Sequence, residues 1–197
     1  FELGATSLPF AGAYTADNLL MMWKRFRWNA IVGMPSGMIP VLRECKERDP
    51  SFQVEKLMYA GMPMNDNDRR WLKEALGTKV ISSVIGTTEA NQLAYQDPSC
   101  EGLVHRLIDD YNYVEIVDSE GQPVPEGTVG EIVVTTFHKS MFPLIRYAIG
   151  DQGRLLTDSQ GRRSIEYLGR ADNCLCIGYM NIIFQDFERV AVDLGAT

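Results

Sequence analysis

Apolar residues recur at helical spacing at Leu19, Leu20, Trp23 and Phe26, and with Thr15 or Asp17 as a cap they predict a helix running to about residue 27. The unbroken apolar run at 30–34 then reads as a buried strand. Pro35 and Ser36 open a second helix to about residue 48, and 56–60 form a second strand closed by Gly61 and Pro63. Asn65 caps a third helix that ends near Gly77, and 79–85 supply a third strand. This alternation is the βαβ pattern of a parallel sheet flanked by helices.

Beyond residue 102 the helical period disappears. Short strands at 113–117 and 130–136 are separated by turns at Ser119-Glu120-Gly121 and Pro125-Glu126-Gly127. A pair at 153–156 and 164–168 brackets a turn at 158–162. Between them, Pro143 keeps the chain extended, 144–149 read as a short buried strand, and Gly150 permits a sharp turn that leaves the Asp151 carboxylate exposed at the strand's end. These segments predict an antiparallel sheet or small barrel. Residues 174–177 are strand-like, and a helix is expected from Gln185.

The formal charge of -7 changes the picture by exclusion: so acidic a surface repels phosphate backbones and anionic lipid, so neither nucleic acid nor a membrane is an expected partner. The short basic group Lys24, Arg25, Arg27 reads as the solvated rim of a helix. No apolar run approaches the ~20 residues of a membrane span. Cys45, Cys100, Cys174 and Cys176 lack the spacing of a disulfide framework and no secretory leader is present, which points to a reducing cytoplasm. Phe1 and Thr197 have the look of cuts within a longer protein.

Two places carry candidate chemistry. Ile85-Gly86-Thr87-Thr88-Glu89 follows a buried parallel strand, where ligands of open α/β sheets bind. Thr88 can donate a hydroxyl to a phosphate oxygen and Glu89 offers a hard oxygen to Mg²⁺, while a helix cap would use the same residues. Asp151 can accept from both hydroxyls of a ribose and Arg170 can hold a phosphate or a second ribose hydroxyl, although a turn carboxylate beside a surface arginine has the same sequence. Cys100 and His105 supply two donors of a zinc site, short of the four required.

In chain order stand IGTTE at 85–89, GEIVVTTF at 130–137, IRYAIGD at 145–151 and GRADN at 169–173, preceded by LGATSLP at 3–9 and Met34-Pro35-Ser36. This set resembles the adenylate-forming superfamily of acyl-CoA synthetases, and within it the phenylacetate-coenzyme A ligase branch, whose loops read YGxSE or YGxTE, GELVxTTL, IRYRTGD and GRxDD. The resemblance covers nearly the whole chain. It implies an α/β fold with a parallel sheet and flanking helices over 1–98, an antiparallel β-sheet or barrel subdomain over 99–169, and at 170–197 the hinge and beginning of a small C-terminal α+β domain.

It further implies ATP-dependent activation of a carboxylic acid, aromatic or arylacetic, as its acyl-adenylate, with transfer to coenzyme A. The alternatives are amide formation with an amine, or a nucleotide- or acyl-binding module without turnover. ATP/AMP, Mg²⁺, coenzyme A and the acid are the implied ligands, and a homodimer is implied by analogy. Carried over by position, Thr88 touches the α-phosphate and Glu89 ligates Mg²⁺. Gly61, Met62 and Pro63 lie along adenine, and Ile85, Gly86 and Thr87 complete the nucleotide loop. Asp151 holds the ribose, Arg170 adds a nucleotide contact, and Asp172 marks the hinge. Ile85 stands where the family has an aromatic residue, Met62 where it has Glu, and Ala148 where it has a second Arg. The family's phosphate loop and its small-domain lysine are expected in the remainder of the longer protein.

Overall fold

The computed structural model describes residues 4–10, 15–100, 102–171, 174–177 and 180–183. It divides into two compact units: Phe1–Met58 with Pro63–Ile81, and Tyr59–Met62 with Ser82–Thr197.

The first unit holds α1 (Ala16–Phe26), β1 (Ala30–Gly33), α2 (Pro35–Arg48), most of β2 (Lys56–Ala60), α3 (Asp66–Leu76) and the start of β3 (Val80–Thr87). The caps expected from sequence form. The Thr15 side chain accepts from the Asn18 N–H at 3.4 Å and the Asn65 side chain from the Asp68 N–H at 2.8 Å, each satisfying a donor the helix itself cannot. Gly77 ends α3 with φ 69°. Lys56 N–H donates to Asn29 O at 2.9 Å and Lys79 N–H to Glu55 O at 2.8 Å, so the residue entering each strand bonds to the residue just ahead of the previous one. The three strands therefore start at the same end, which is the parallel arrangement that helical crossovers require.

Leu19, Met38, Leu42, Leu57, Leu72 and Leu76 are buried, as is Phe52, whose ring meets Trp23 and Trp28 edge-on at 5.3 and 5.8 Å. Each such side chain contributes about 1.5–3 kcal/mol when taken from water. Cys45 donates to Ala16 O at 3.7 Å, and burial pushes its thiol up to about 11, which makes it a packing residue. The basic rim on α1 is engaged at the surface, with Lys24 2.9 Å from Asp49 and Arg27 over the Trp23 ring.

In the second unit the rest of β3 joins β4 (Asn91–Tyr95), β5 (Val104–Leu107), β6 (Asn112–Val117), β7 (Gly130–Thr136), β8 (Tyr147–Thr157) and β9 (Arg163–Arg170), in the order β3-β4-β5-β9-β8-β7-β6 and with antiparallel pairing. The sheet curls on itself: the Asn112 amide on β6 donates to Gln92 O on β4 at 2.9 Å, and Leu93, Leu107, Val114, Ile132, Val134 and Ile165 share one core. The expected antiparallel sheet is present, with β4 and β5 added to it. A separate hairpin pairs β10 (Cys174–Ile177) with β11 (Met180–Ile183). The helix expected from Gln185 lies outside the described residues.

One expectation is overturned. Asp151 does not stand exposed at the end of a strand over 144–149; it sits inside β8 and is 7% exposed. Gly150, at φ 76°, bends the strand without ending it. Glu131 pairs with Gln152 and Val133 with Ala148, so Ile149, Gly150 and Asp151 together oppose Ile132 in a bulge. Upstream, Leu144 and Thr136 exchange a 2.9 Å bond from Thr136 N–H to Leu144 O and a 3.2 Å bond from Leu144 N–H to the Thr136 hydroxyl. Arg146 takes φ 49° and is fixed by Glu115 at 3.3 Å and Gly121 O at 2.8 Å.

Candidate active site

The Gly-Thr-Thr-Glu stretch is neither a helix cap nor an open loop. It closes the hairpin between β3 and β4, with Thr87 opposite Asn91 and a register shift between Ile85 and Gly86. Gly86 is demanded by the close return of the chain, because a Cβ there would stand 2.6 Å from Asn91 O. Thr87 turns its hydroxyl inward to accept from Ala90 N–H at 2.9 Å, and Ala90 is buried. Asn91 completes the turn at φ 62°. Thr88 and Glu89 are thereby left exposed at the tip, and Ile85 is half-buried against the barrel core.

The sequence gives no sign of a further group at this tip. Lys139, in the connection from β7 to β8, donates from Nζ to Glu89 O, and His138 beside it lies 3.3 Å from the Asn91 amide and 3.2 Å from Tyr111 O. A fifty-residue separation puts these partners beyond any local pattern.

The second candidate pair is brought together by strand register: Asp151 and Arg170 are direct partners across β8 and β9, with Arg170 Nη1 3.5 Å from Asp151 Oδ1. The guanidinium also donates to Ile149 O at 3.3 Å. It lies over Gly150, where a Cβ would come within 2.9 Å of Nη2. Ala171 N–H donates to Gly150 O at 2.9 Å, so the chain stays clasped to β8 for one residue past Arg170. Asp172, the expected hinge residue, lies outside the described residues.

Gly61 is exposed and Met62 half-buried, and both group with the second unit, which also holds the 85–89 hairpin, Asp151 and Arg170; Pro63 groups with the first. The zinc alternative meets an obstacle at His105. Its Nδ1 lies 2.8 Å from Leu103 O, which can only accept, so Nδ1 donates there, and Nε2 is hydrogen-bonded to the Ser83 hydroxyl. Both ring nitrogens are occupied by the protein. Cys100 instead donates to Asp97 at 3.7 Å.

Residues 1–141 match the family model described as AMP-binding enzyme. The chain belongs to the AMP-binding enzyme family. Among curated relatives of this family member, the phenylacetate-coenzyme A ligase of Thermus thermophilus is 30% identical over 202 residues, covering 95% of this chain and 44% of the relative. That of Escherichia coli is 27% identical over 199 residues, covering 97% and 45%. The chain thus spans less than half the length of these relatives. The solved 2-hydroxyisobutyryl-CoA ligase in complex with 2-HIB-AMP and CoA superposes with a TM-score of 0.72 at 21% identity, over 97% of this chain and 42% of that one. An anthranilate CoA ligase in complex with anthranoyl-AMP gives 0.62 at 22%, over 98% and 39%. At these identities the likeness establishes the fold: a mixed α/β chain built as the adenylate-forming enzymes are.

No group of three or more His, Cys, Asp or Glu side chains able to hold a metal occurs among the described residues. Mg²⁺ does not need one, since it keeps several waters and binds through one or two carboxylates plus substrate phosphates. An exposed Glu89 beside the Thr88 hydroxyl fits that mode of binding. No described helix is long and apolar enough to cross a membrane.

Proposed function

We propose that the full-length protein activates a carboxylic acid, aromatic or arylacetic, as its acyl-adenylate and passes the acyl group to coenzyme A. What carries this reading is that the hairpin tip, Asp151, Arg170 and the Gly61-Met62 turn fall in one compact unit of a chain aligned along 95% of its length with a phenylacetate-coenzyme A ligase. In the first step a carboxylate oxygen attacks the α-phosphorus of ATP, the new C(O)O–P bond forms, the bond to the β-phosphate bridge breaks, and pyrophosphate leaves. In the second the thiolate of coenzyme A attacks the acyl carbon and AMP leaves with the C–O bonding pair.

Neither step demands much acid–base machinery from the protein; both demand positioning and charge stabilisation. The Thr88 hydroxyl donates to an α-phosphate oxygen. Asp151, held in the β8 bulge with Arg170 at its side, accepts from the two ribose hydroxyls, and Arg170 adds a donor toward the nucleotide. Gly61, Met62 and Pro63 line adenine, and Ile85 offers it apolar contact. Gly86 and Thr87 fix the tip. Glu89 is the residue that would hold Mg²⁺, which when bound neutralises phosphate charge. Residues 99–169 serve as the β subdomain, and the chain from 170 onward, with Asp172, as the hinge into the small domain. A cytoplasmic setting is part of this reading, supported by the free thiols of Cys45 and Cys100 and by the thiol of coenzyme A, which reducing conditions preserve.

The test is acid-dependent exchange of labelled pyrophosphate into ATP by the full-length protein, over a panel of aryl, arylacetic and fatty acids, followed by coenzyme A consumption. Exchange that is strongest with an aryl or arylacetic acid and is discharged by coenzyme A is the expected result. Absence of exchange with every acid overturns adenylation, and discharge by amines alone moves the acceptor to the amide-forming reading.

A further inference from the structure

The peptide joining Glu89 to Ala90 is held at both ends. Its N–H donates to the Thr87 hydroxyl at 2.9 Å, and its C=O accepts from Lys139 Nζ, which arrives from the β7–β8 connection. Fixing both polar groups of one peptide plane restrains the backbone at Glu89 and Ala90, and with it the end of the tip that follows Thr88. His138 reinforces the clamp through the Asn91 amide and Tyr111 O.

The charge on Lys139 is a separate matter. Among the described residues its partner is an uncharged carbonyl, and no carboxylate lies within ion-pair distance of it. Positioning a peptide requires one N–H; an ammonium carries three. Two donors and the ammonium charge therefore remain at the Glu89 carbonyl, one residue along the chain from the exposed Thr88, in a protein whose net charge is -7. A solitary cation next to a hydroxyl donor is the composition of a phosphate-binding corner.

We propose that Lys139 is a positioning residue for the Thr88–Glu89 tip and that its remaining ammonium donors bind the α-phosphate of the nucleotide. This deepens the adenylation reading and rests on it. In the sequence it stands in no glycine-rich loop and no recognised motif; only the fold places it at the tip.

The test separates charge from scaffolding. Binding of AMP and of adenosine is measured by titration calorimetry on the full-length protein, on Lys139→Met and on Lys139→Arg. Loss of phosphate recognition predicts that Lys139→Met weakens AMP about 10-fold, leaves adenosine within about 2-fold and keeps the thermal midpoint of the parent, as expected of two charge-assisted bonds partly replaced by water. Lys139→Arg should recover part of the AMP affinity. Unchanged AMP binding in Lys139→Met overturns the proposal. Equal weakening of AMP and adenosine also overturns it, because a merely structural lysine would disturb both. If the parent binds AMP but supports no pyrophosphate exchange, the adenylation reading fails while this one is still decided by the variants; if it binds neither nucleotide nor nucleoside, both fail.

Discussion

At the hairpin tip the backbone is held while the side chains of Thr88 and Glu89 stand in solvent; at Asp151 the side chain itself is built into the sheet, with Arg170 alongside. The difference is one of solvation. A carboxylate in water can exchange ligands with a hydrated metal at little cost, and it needs only a fixed direction. A carboxylate that is 7% exposed has surrendered most of its water in advance, so a pair of hydroxyls reaching it meets an oriented acceptor with little left to displace. On the adenylation reading proposed above, the tip would take the part of the ligand that arrives with its own hydration shell, and the bulge the part that must be gripped.

Substitutions that break one arrangement should therefore leave a different signature from those that break the other. The largest effect is expected at Asp151. Asp151→Ala in the full-length protein removes two charge-assisted hydrogen bonds of about 1.5–3 kcal/mol each, and kcat/KM for ATP should fall at least about 100-fold while the KM for the acid holds. Steady-state kinetics with each substrate varied in turn measures this, and unaltered ATP kinetics would remove Asp151 from the ribose. Next comes Gly86→Ala, whose new methyl would stand 2.6 Å from the Asn91 carbonyl. Urea denaturation should register about 2 kcal/mol of lost stability, because the obstacle is backbone that cannot rotate away. Equal midpoints would mean the hairpin is looser than its register implies.

Thr87→Val keeps the shape and deletes the hydroxyl, leaving the Ala90 N–H without its acceptor. About 1 kcal/mol in the same assay is expected, with a parallel fall in ATP affinity. The smallest change is predicted for Glu89→Gln. Its side chain is exposed, so stability should stay within about 0.5 kcal/mol while the Mg²⁺ concentration for half-maximal exchange rises several-fold. An identical metal titration would strip Glu89 of its ligand role.

What could be read from the chain in advance follows from where the cues are local. Thr15, Asn65 and Gly77 announce helix ends because their chemistry is spent on neighbours three to five residues away. Strand β4 escaped because Leu93 and Ala94 are both buried, which erases the two-residue alternation, and β5 escaped because one of its inward residues is the polar His105, whose solvent is replaced by Ser83 and Leu103 O. The Gly150-Asp151 pair reads as a turn since glycine at positive φ does end many strands. Here pairing on both flanks, to β7 and to β9, carries β8 through the bend. The register that sets Arg170 opposite Asp151 and the reach of Lys139 across fifty residues belong to tertiary structure alone.

The pinned Glu89–Ala90 peptide also sets a schedule. One of its anchors is two residues upstream of the carbonyl it helps orient, but the other is translated fifty residues later, and the neighbouring Tyr111 and His138 contact closes a shorter span of 27 residues. Loop closure over such distances trails local ordering. A ribosome-bound chain halted before Lys139 emerges would carry the whole Gly-Thr-Thr-Glu sequence and still lack a finished tip.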